Sequence, residues 1–254
     1  MLAPLVIAAV AAQPAQAELD AVGARGRLLW EYDQAAWHST DRMRAKLPNP
    51  ERVLRGFIVE PVPGGHRAIY YGLNGREAYP VYTADVRGGR VIADGVVPEG
   101  ARTPLNPTLQ RMIQAREVAA GSGYRPCGAQ TFNTVVIAPV NASEPIDVYL
   151  LTPQPARDAF PFGGHYRVRV DAAGRIASKR GFARSCLTMP KPSRGPGGEK
   201  PVGMVVSHLL DPHPTEIHVF NSLAAKFPVY VPVPSGQLYR VAGEKIRAVA
   251  KPGD

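Results

Sequence analysis

The sequence predicts an α+β fold: antiparallel β-hairpins forming one or two curved sheets, with two helices packed on a face. Three observations lead there. β-Rich runs come in pairs around turn-forming residues, as hairpins do. Two stretches place apolar side chains at helical spacing. Strand-turn-strand patterns also recur along the chain, near residues 57–97, 134–182 and 204–249, which points either to an internal repeat or to the shared grammar of antiparallel β sequences.

Residues 19–47 read as the first helix. Leu29, Tyr32, Ala36, Met43 and Leu47 make an apolar stripe, and Pro48 and Pro50 end it. A second stripe carries Trp30, Asp33, Trp37, Asp41 and Arg44, an aromatic and acidic face that could serve a ligand but is expected to be covered by the rest of the fold. Residues 55–60 and 66–72 then flank a Pro-Gly turn, and residues 78–86 and 90–97 flank Arg87-Gly88-Gly89, a hairpin signal. Asn106 and Pro107 are the cap and first turn of the second helix, which carries Leu109, Met112, Ile113 and Val118 and stops near Gly121. Residues 132–139 and 146–152 form the next pair of strands. Residues 165–171 and 174–182 follow around a tight turn, where Gly174 can take a positive φ. Residues 190–201, rich in Pro and Gly, read as a surface loop.

The first 17 residues have another character. Met1 to Ala12 is apolar and uncharged, too short to span a bilayer comfortably, and Ala15-Gln16-Ala17 fits the small-x-small cleavage pattern. We read residues 1–17 as a secretory signal peptide and residues 18–254 as the mature α+β domain, periplasmic or secreted. The run lacks the usual leading Lys or Arg, and a short buried N-terminal helix is the alternative. No later stretch is apolar enough for a membrane span. In an exported protein the two cysteines, Cys127 and Cys186, are expected to pair. Their bridge closes a loop of about 60 residues and contributes about 3–4 kcal/mol in the chain-entropy treatment.

The formal net charge is +9, all of it beyond residue 17. It admits an anionic envelope component as partner. Nucleic acid is not indicated: no Lys/Arg run exceeds two residues, and aromatics do not interleave with a basic stripe.

No Gly-x-Ser-x-Gly, His-Glu-x-x-His, P-loop or dinucleotide fingerprint occurs, and no carboxylate pair stands out. The sharpest chemical signal lies between Val202 and Val233. Two β-rich runs there flank Asp211-Pro212-His213-Pro214-Thr215, which reads as a hairpin centred on His213. His208 and His218 then stand at mirror positions, on one face and close together. With His213 and Asp211 they have the residue types of a zinc site. A one-residue slip in register would separate them. His66 and His165 each precede an aromatic run and are expected to be structural. Two function classes follow: a non-catalytic accessory or binding protein without a cofactor, or a zinc-dependent hydrolase centred on the histidine hairpin.

Export has a direct check. Mature protein from the envelope fraction should begin at Glu18 by N-terminal sequencing, whereas intact Met1 in the cytoplasm would count against it.

Overall fold

The computed structural model describes residues 14–250. The first 13 residues, most of the expected signal segment, lie outside that range, and Gln16 and Ala17 already form the first turn of α1 (Gln16–Lys46). Among the described residues no helix is long and apolar enough to cross a membrane.

The α1 helix is the spine. Its predicted stripe is buried throughout, from Leu29 through Tyr32, Ala36 and Met43 to Leu47 just beyond its end. A short turn of helix, α2 (Pro50–Val53), leads into a four-stranded antiparallel meander of β1 (Gly56–Val62), β2 (Gly65–Asn74), β3 (Glu77–Arg87) and β4 (Arg90–Val96). Its register places Ile58 opposite Ile69 and Val59 opposite Ala68. Alternation along the strands therefore gives the sheet two apolar faces. Val59, Ala68, Tyr70 and Tyr82 pack on α1, while Ile58, Ile69, Tyr71 and Ala78 pack on α3 (Pro107–Ala120). Asn106 caps α3 as expected, its side chain accepting from the Leu109 amide at 3.0 Å.

A second antiparallel sheet orders β5 (Asn133–Ile137), β6 (Ile146–Leu151), β8 (Tyr166–Val170) and β9 (Ile176–Gly181). Every residue of β6 is buried, as a central strand covered on both faces should be. Val136, Val148, Leu150 and Val168 continue the core under α3, while Val135, Tyr149 and Leu151 face α1. The small pair β7 (Ala159–Pro161) and β10 (Thr188–Pro190) lies apart from it. Next to that pair Cys127 and Cys186 form a disulfide, with Cα atoms 5.6 Å apart, so the expected pairing is present.

The third sheet runs β11 (Met204–Val205), β12 (Val229–Pro232), β13 (Leu238–Ala242) and β14 (Lys245–Ala248). Here the expected strand-turn-strand gives way. Residues Glu216–Ala225 are a helix, α4, and β11 runs parallel to β12. A parallel neighbour requires a crossover, and α4 supplies it. The hairpin expected around His213 is therefore corrected to a β-α-β connection. The reason is burial: every residue from Glu216 to Ser222 is buried, so its polar residues do not mark a solvent face, and the short run Ile-His-Val-Phe suits a strand equally well. The hairpins are thus divided among three four-stranded sheets, and the α+β architecture of antiparallel hairpins and packed helices stands.

The α4 helix lies directly on α1. A Cβ on Gly26 would run into the Val219 side chain and come within 2.7 Å of the Glu216 carbonyl oxygen. A Cβ on Gly23 would collide with the Glu244 carbonyl oxygen. Both glycines stand inside a helix, where Gly costs about 1 kcal/mol relative to Ala, so their presence reflects the approach of the neighbouring chain. Gly26→Ala should gain about 1 kcal/mol of propensity and lose up to about 3 kcal/mol to overpacking, a net loss of up to about 2 kcal/mol. Urea denaturation should show it, with Gly95→Ala, where an added Cβ meets nothing, as the neutral control.

Candidate functional site

The expected site residues meet beside the N-terminus of α4, by a route other than a hairpin. Met204, Val206 and His208 donate their amides to the carbonyls of Pro228, Tyr230 and Pro232 at 2.9–3.0 Å, extending the parallel edge of sheet three to His208. Alternate side chains of that edge, Met204, Val206 and His208, point into the core. The chain then turns through residues 209–215 and enters α4 at Thr215.

His218 is the third residue of α4. Its Nδ1 accepts the Thr215 amide at 3.0 Å and closes a capping box. It takes the place that Glu or Gln ordinarily fills in that motif. Because Nδ1 accepts, the neutral ring carries its proton on Nε2. The His208 and His218 rings meet edge to face, with centroids 4.8 Å apart. His208 Nε2 lies 2.7 Å from Asp211 Oδ2, and Arg180 Nη2 donates to that same oxygen at 2.6 Å. Arg180 itself extends from β9 over the Phe182 ring. One turn away, Glu216 Oε1 accepts from the Tyr149 hydroxyl at 2.9 Å, with Arg167 Nη1 at 3.6 Å. Glu216 stands in the first turn of α4, where the helix dipole favours a negative charge.

His213 does not join them. Its Nδ1 lies 2.8 Å from its neighbour's carbonyl at Pro214, and its Nε2 lies 3.1 Å from Glu18 Oε1 on α1. Of the four residues singled out in the sequence, His208, His218 and Asp211 gather and His213 departs. Among the described residues no group of three or more His, Cys, Asp or Glu is placed to hold a metal ion. His208 and Asp211 form an oriented imidazole-carboxylate pair, the chemistry of a general base. His208 is only 4% exposed, however, and the pair ties the loop to sheet two.

His165, also beside α4, is fully buried. Its Nδ1 accepts the Thr152 amide at 3.3 Å, and its Nε2 donates to the Pro161 carbonyl at 2.7 Å, so its expected structural role is visible. Asn221 Nδ2 donates to the same carbonyl at 2.8 Å, while its Oδ1 is buried without a hydrogen-bond partner among the described residues. His66 sits at the edge of Tyr32, 3.7 Å from Glu31. The sequence carried no signal for Arg180, Arg167 or Tyr149, which reach the cluster from strands distant in the chain.

A second candidate site surrounds Trp30. Two adjoining clefts of about 370 and 360 Å³ share Trp30, Leu223 and Ala242. One is bordered by Arg27, Glu31, Glu244 and Lys245, the other by Phe227, Pro228 and Lys226. Arg27 bridges Glu31 at 2.8 Å and Glu244 at 3.0 Å. The aromatic stripe of α1 is thus covered only in part: Trp30 lines a cleft and Trp37, its ring tilted against His38, remains 60% exposed. No protein-family model, curated protein or solved structure matches this chain.

Burial sets the protonation of the cluster. It pushes His165 down to about 4, and with the neighbouring His208 it pushes His218 down to about 3. Burial raises the Asp211 carboxyl, but the hydrogen bond from His208 and the Arg180 charge outweigh it and hold the group below its ordinary value. Burial likewise raises Asp33 to about 6. The unfolded chain takes up protons near pH 6.5 that the two folded histidines refuse. Their stability contribution is therefore complete above about pH 6.5 and is lost as pH falls toward 4 and then 3. Asp33 acts in the opposite direction between about pH 4 and 6, so a variant is needed to isolate the histidines. His218→Gln keeps a capping acceptor and cannot titrate. Its Tm should fall less steeply than that of the wild type between pH 6.5 and 4. Parallel curves would mean that His218 is not buried neutral.

Proposed function

We propose that this chain is an exported, non-catalytic binding or accessory protein of the periplasm or extracellular space, and that the cleft around Trp30 receives its ligand. The observation that carries this reading is the pairing of an apolar half, Phe227, Pro228 and Leu223, with a charged half, Arg27, Glu31 and Lys245, across one tryptophan. Ligand sites combine apolar walls with a few orienting polar groups, in volumes of about 300–1,000 Å³. The intramolecular disulfide and the absence of a spanning helix among the described residues are compatible with an exported location. The surplus positive charge favours an anionic component of the envelope as the wider partner.

The alternative, a zinc-dependent hydrolase, rests on the meeting of His208, His218 and Asp211. One nitrogen of each ring is already used: His218 Nδ1 caps α4 and His208 Nε2 holds Asp211. Elemental analysis after native purification should find zinc far below one ion per chain. Stoichiometric zinc in the wild type, lost in His218→Gln, would overturn the binding reading in favour of the hydrolase. In the same preparation, Trp37→Phe leaves Trp30 as the single tryptophan. Titration with soluble envelope components should shift its emission, and Leu223→Lys should abolish the shift without changing the circular dichroism.

A further inference from the structure

Among the described residues, the open edge of sheet three differs from the other edges of the four-stranded sheets. The edge strand β9 carries Lys179 and Arg180, β14 carries Lys245 and Arg247, and β4 carries Arg90 and lies against α1. The other edges of the four-stranded sheets, β1 and β5, lie against one another, and the short pair β7 and β10 carries Pro161 and Pro190. Proteins guard exposed edges with charge, proline or a covering element, because an unguarded edge pairs with another strand. Residues 202–210 contain no Lys, Arg, Asp or Glu and no proline. Val202 is 74% exposed, Val205 61%, Leu209 60% and Leu210 40%.

We infer that this edge is the interface between two copies of the chain, paired antiparallel about a two-fold axis at Ser207. Backbone and side-chain geometry agree on that register. The amides of Met204, Val206 and His208 are directed at β12 and the residues beyond it. By the alternation of a pleated strand, those of Val205, Ser207 and Leu209 point to the free edge. Pairing about Ser207 sets Ser207 against its symmetry mate and Val205 against Leu209. All three positions then fall at sites where opposed residues exchange both hydrogen bonds. The same register places apolar Val205 on apolar Leu209 on the solvent face, at both ends of the contact. Charge does not oppose this occupant at the edge itself. In a chain of net charge +9, this is an edge where a second copy approaches without setting like charges opposite one another. A two-fold contact of this kind uses one patch twice and is self-complementary. It joins two four-stranded sheets into one of eight strands.

Sedimentation equilibrium on the full chain with its disulfide intact tests the inference. The wild type should dimerise reversibly between about 1 and 100 μM, a range typical of modest interfaces. The double variant Val205→Lys/Leu209→Lys sets lysines opposite one another and should weaken dimerisation by about 100-fold or more. Its circular dichroism and Tm at low concentration should not change. Ser207→Pro, which removes an outward amide at a position where an edge strand tolerates proline, should also give a monomer and serves if the double variant folds poorly. A wild type that stays monomeric at the highest concentration overturns the inference. So does a dimer that keeps its affinity in both variants, or a monomer that captures only an unrelated extended peptide at this edge.

Discussion

Two helices touch where α1 has Gly26 and α4 has Val219, with no room between them for a single added methyl group. Much else depends on that approach. The α1 helix also lies against sheet one and sheet two, and α4 sits on sheet three and on β7. Seating α4 on α1 therefore joins the third sheet to the first two. Leu19 of α1 enters the same apolar cluster as Met204, Val206 and Val219, and Tyr149 of sheet two reaches Glu216 at the start of α4. Close packing makes such a junction intolerant of volume change, since the interior has few voids to absorb a misplaced atom.

Electrostatics reinforce the junction. The face of sheet two toward α1 and α4 carries Arg167, Arg169 and Arg180, a costly set to bring under a helix. Each meets a carboxylate: Glu216 at 3.6 Å, Asp147 at 3.0 Å and Asp211 at 2.6 Å. Arg25 of α1 adds a further contact to Asp147 at 3.6 Å. The carboxylates are the more deeply buried partners, so removing an arginine leaves a carboxylate short of compensation, whereas the half-exposed arginines keep access to water. His165 and His218 belong to this arrangement as neutral groups, and their low proton affinity follows from the burial that makes them useful as caps and struts.

Most of the architecture was legible before any coordinate. Asn106 and Pro107 announced the start of α3, Gly174 does take a positive φ of 76° in its turn, and Cys127 and Cys186 are joined. These features are local, or follow from counting. The segment after Thr215 was misread because its β-rich composition, Ile-His-Val-Phe, suits a strand, and because its polar residues Glu216, His218, Asn221 and Ser222 are buried with partners and mark no solvent face. Even so His208 and His218 meet, since the chain reverses between a strand edge and a helix start much as it would in a hairpin. His213 does not follow them, because Pro214 and Glu18 hold its ring elsewhere.

The sequence by itself determined the class of fold, the disulfide partners, the course of α1 and the places where strands turn. Each of these rests on periodicity, on turn chemistry or on there being a single possible pair. Tertiary structure alone decided that the hairpins form three sheets, that Arg180 from β9 completes the histidine cluster, and that Trp30 opens onto a cleft while Leu29 beside it is sealed. It also decided that residues 202–210 lie at an edge and not within a sheet. Such outcomes depend on which surfaces far apart in the chain come within van der Waals reach, and that is settled by packing, where a glycine at position 26 counts for more than any local propensity.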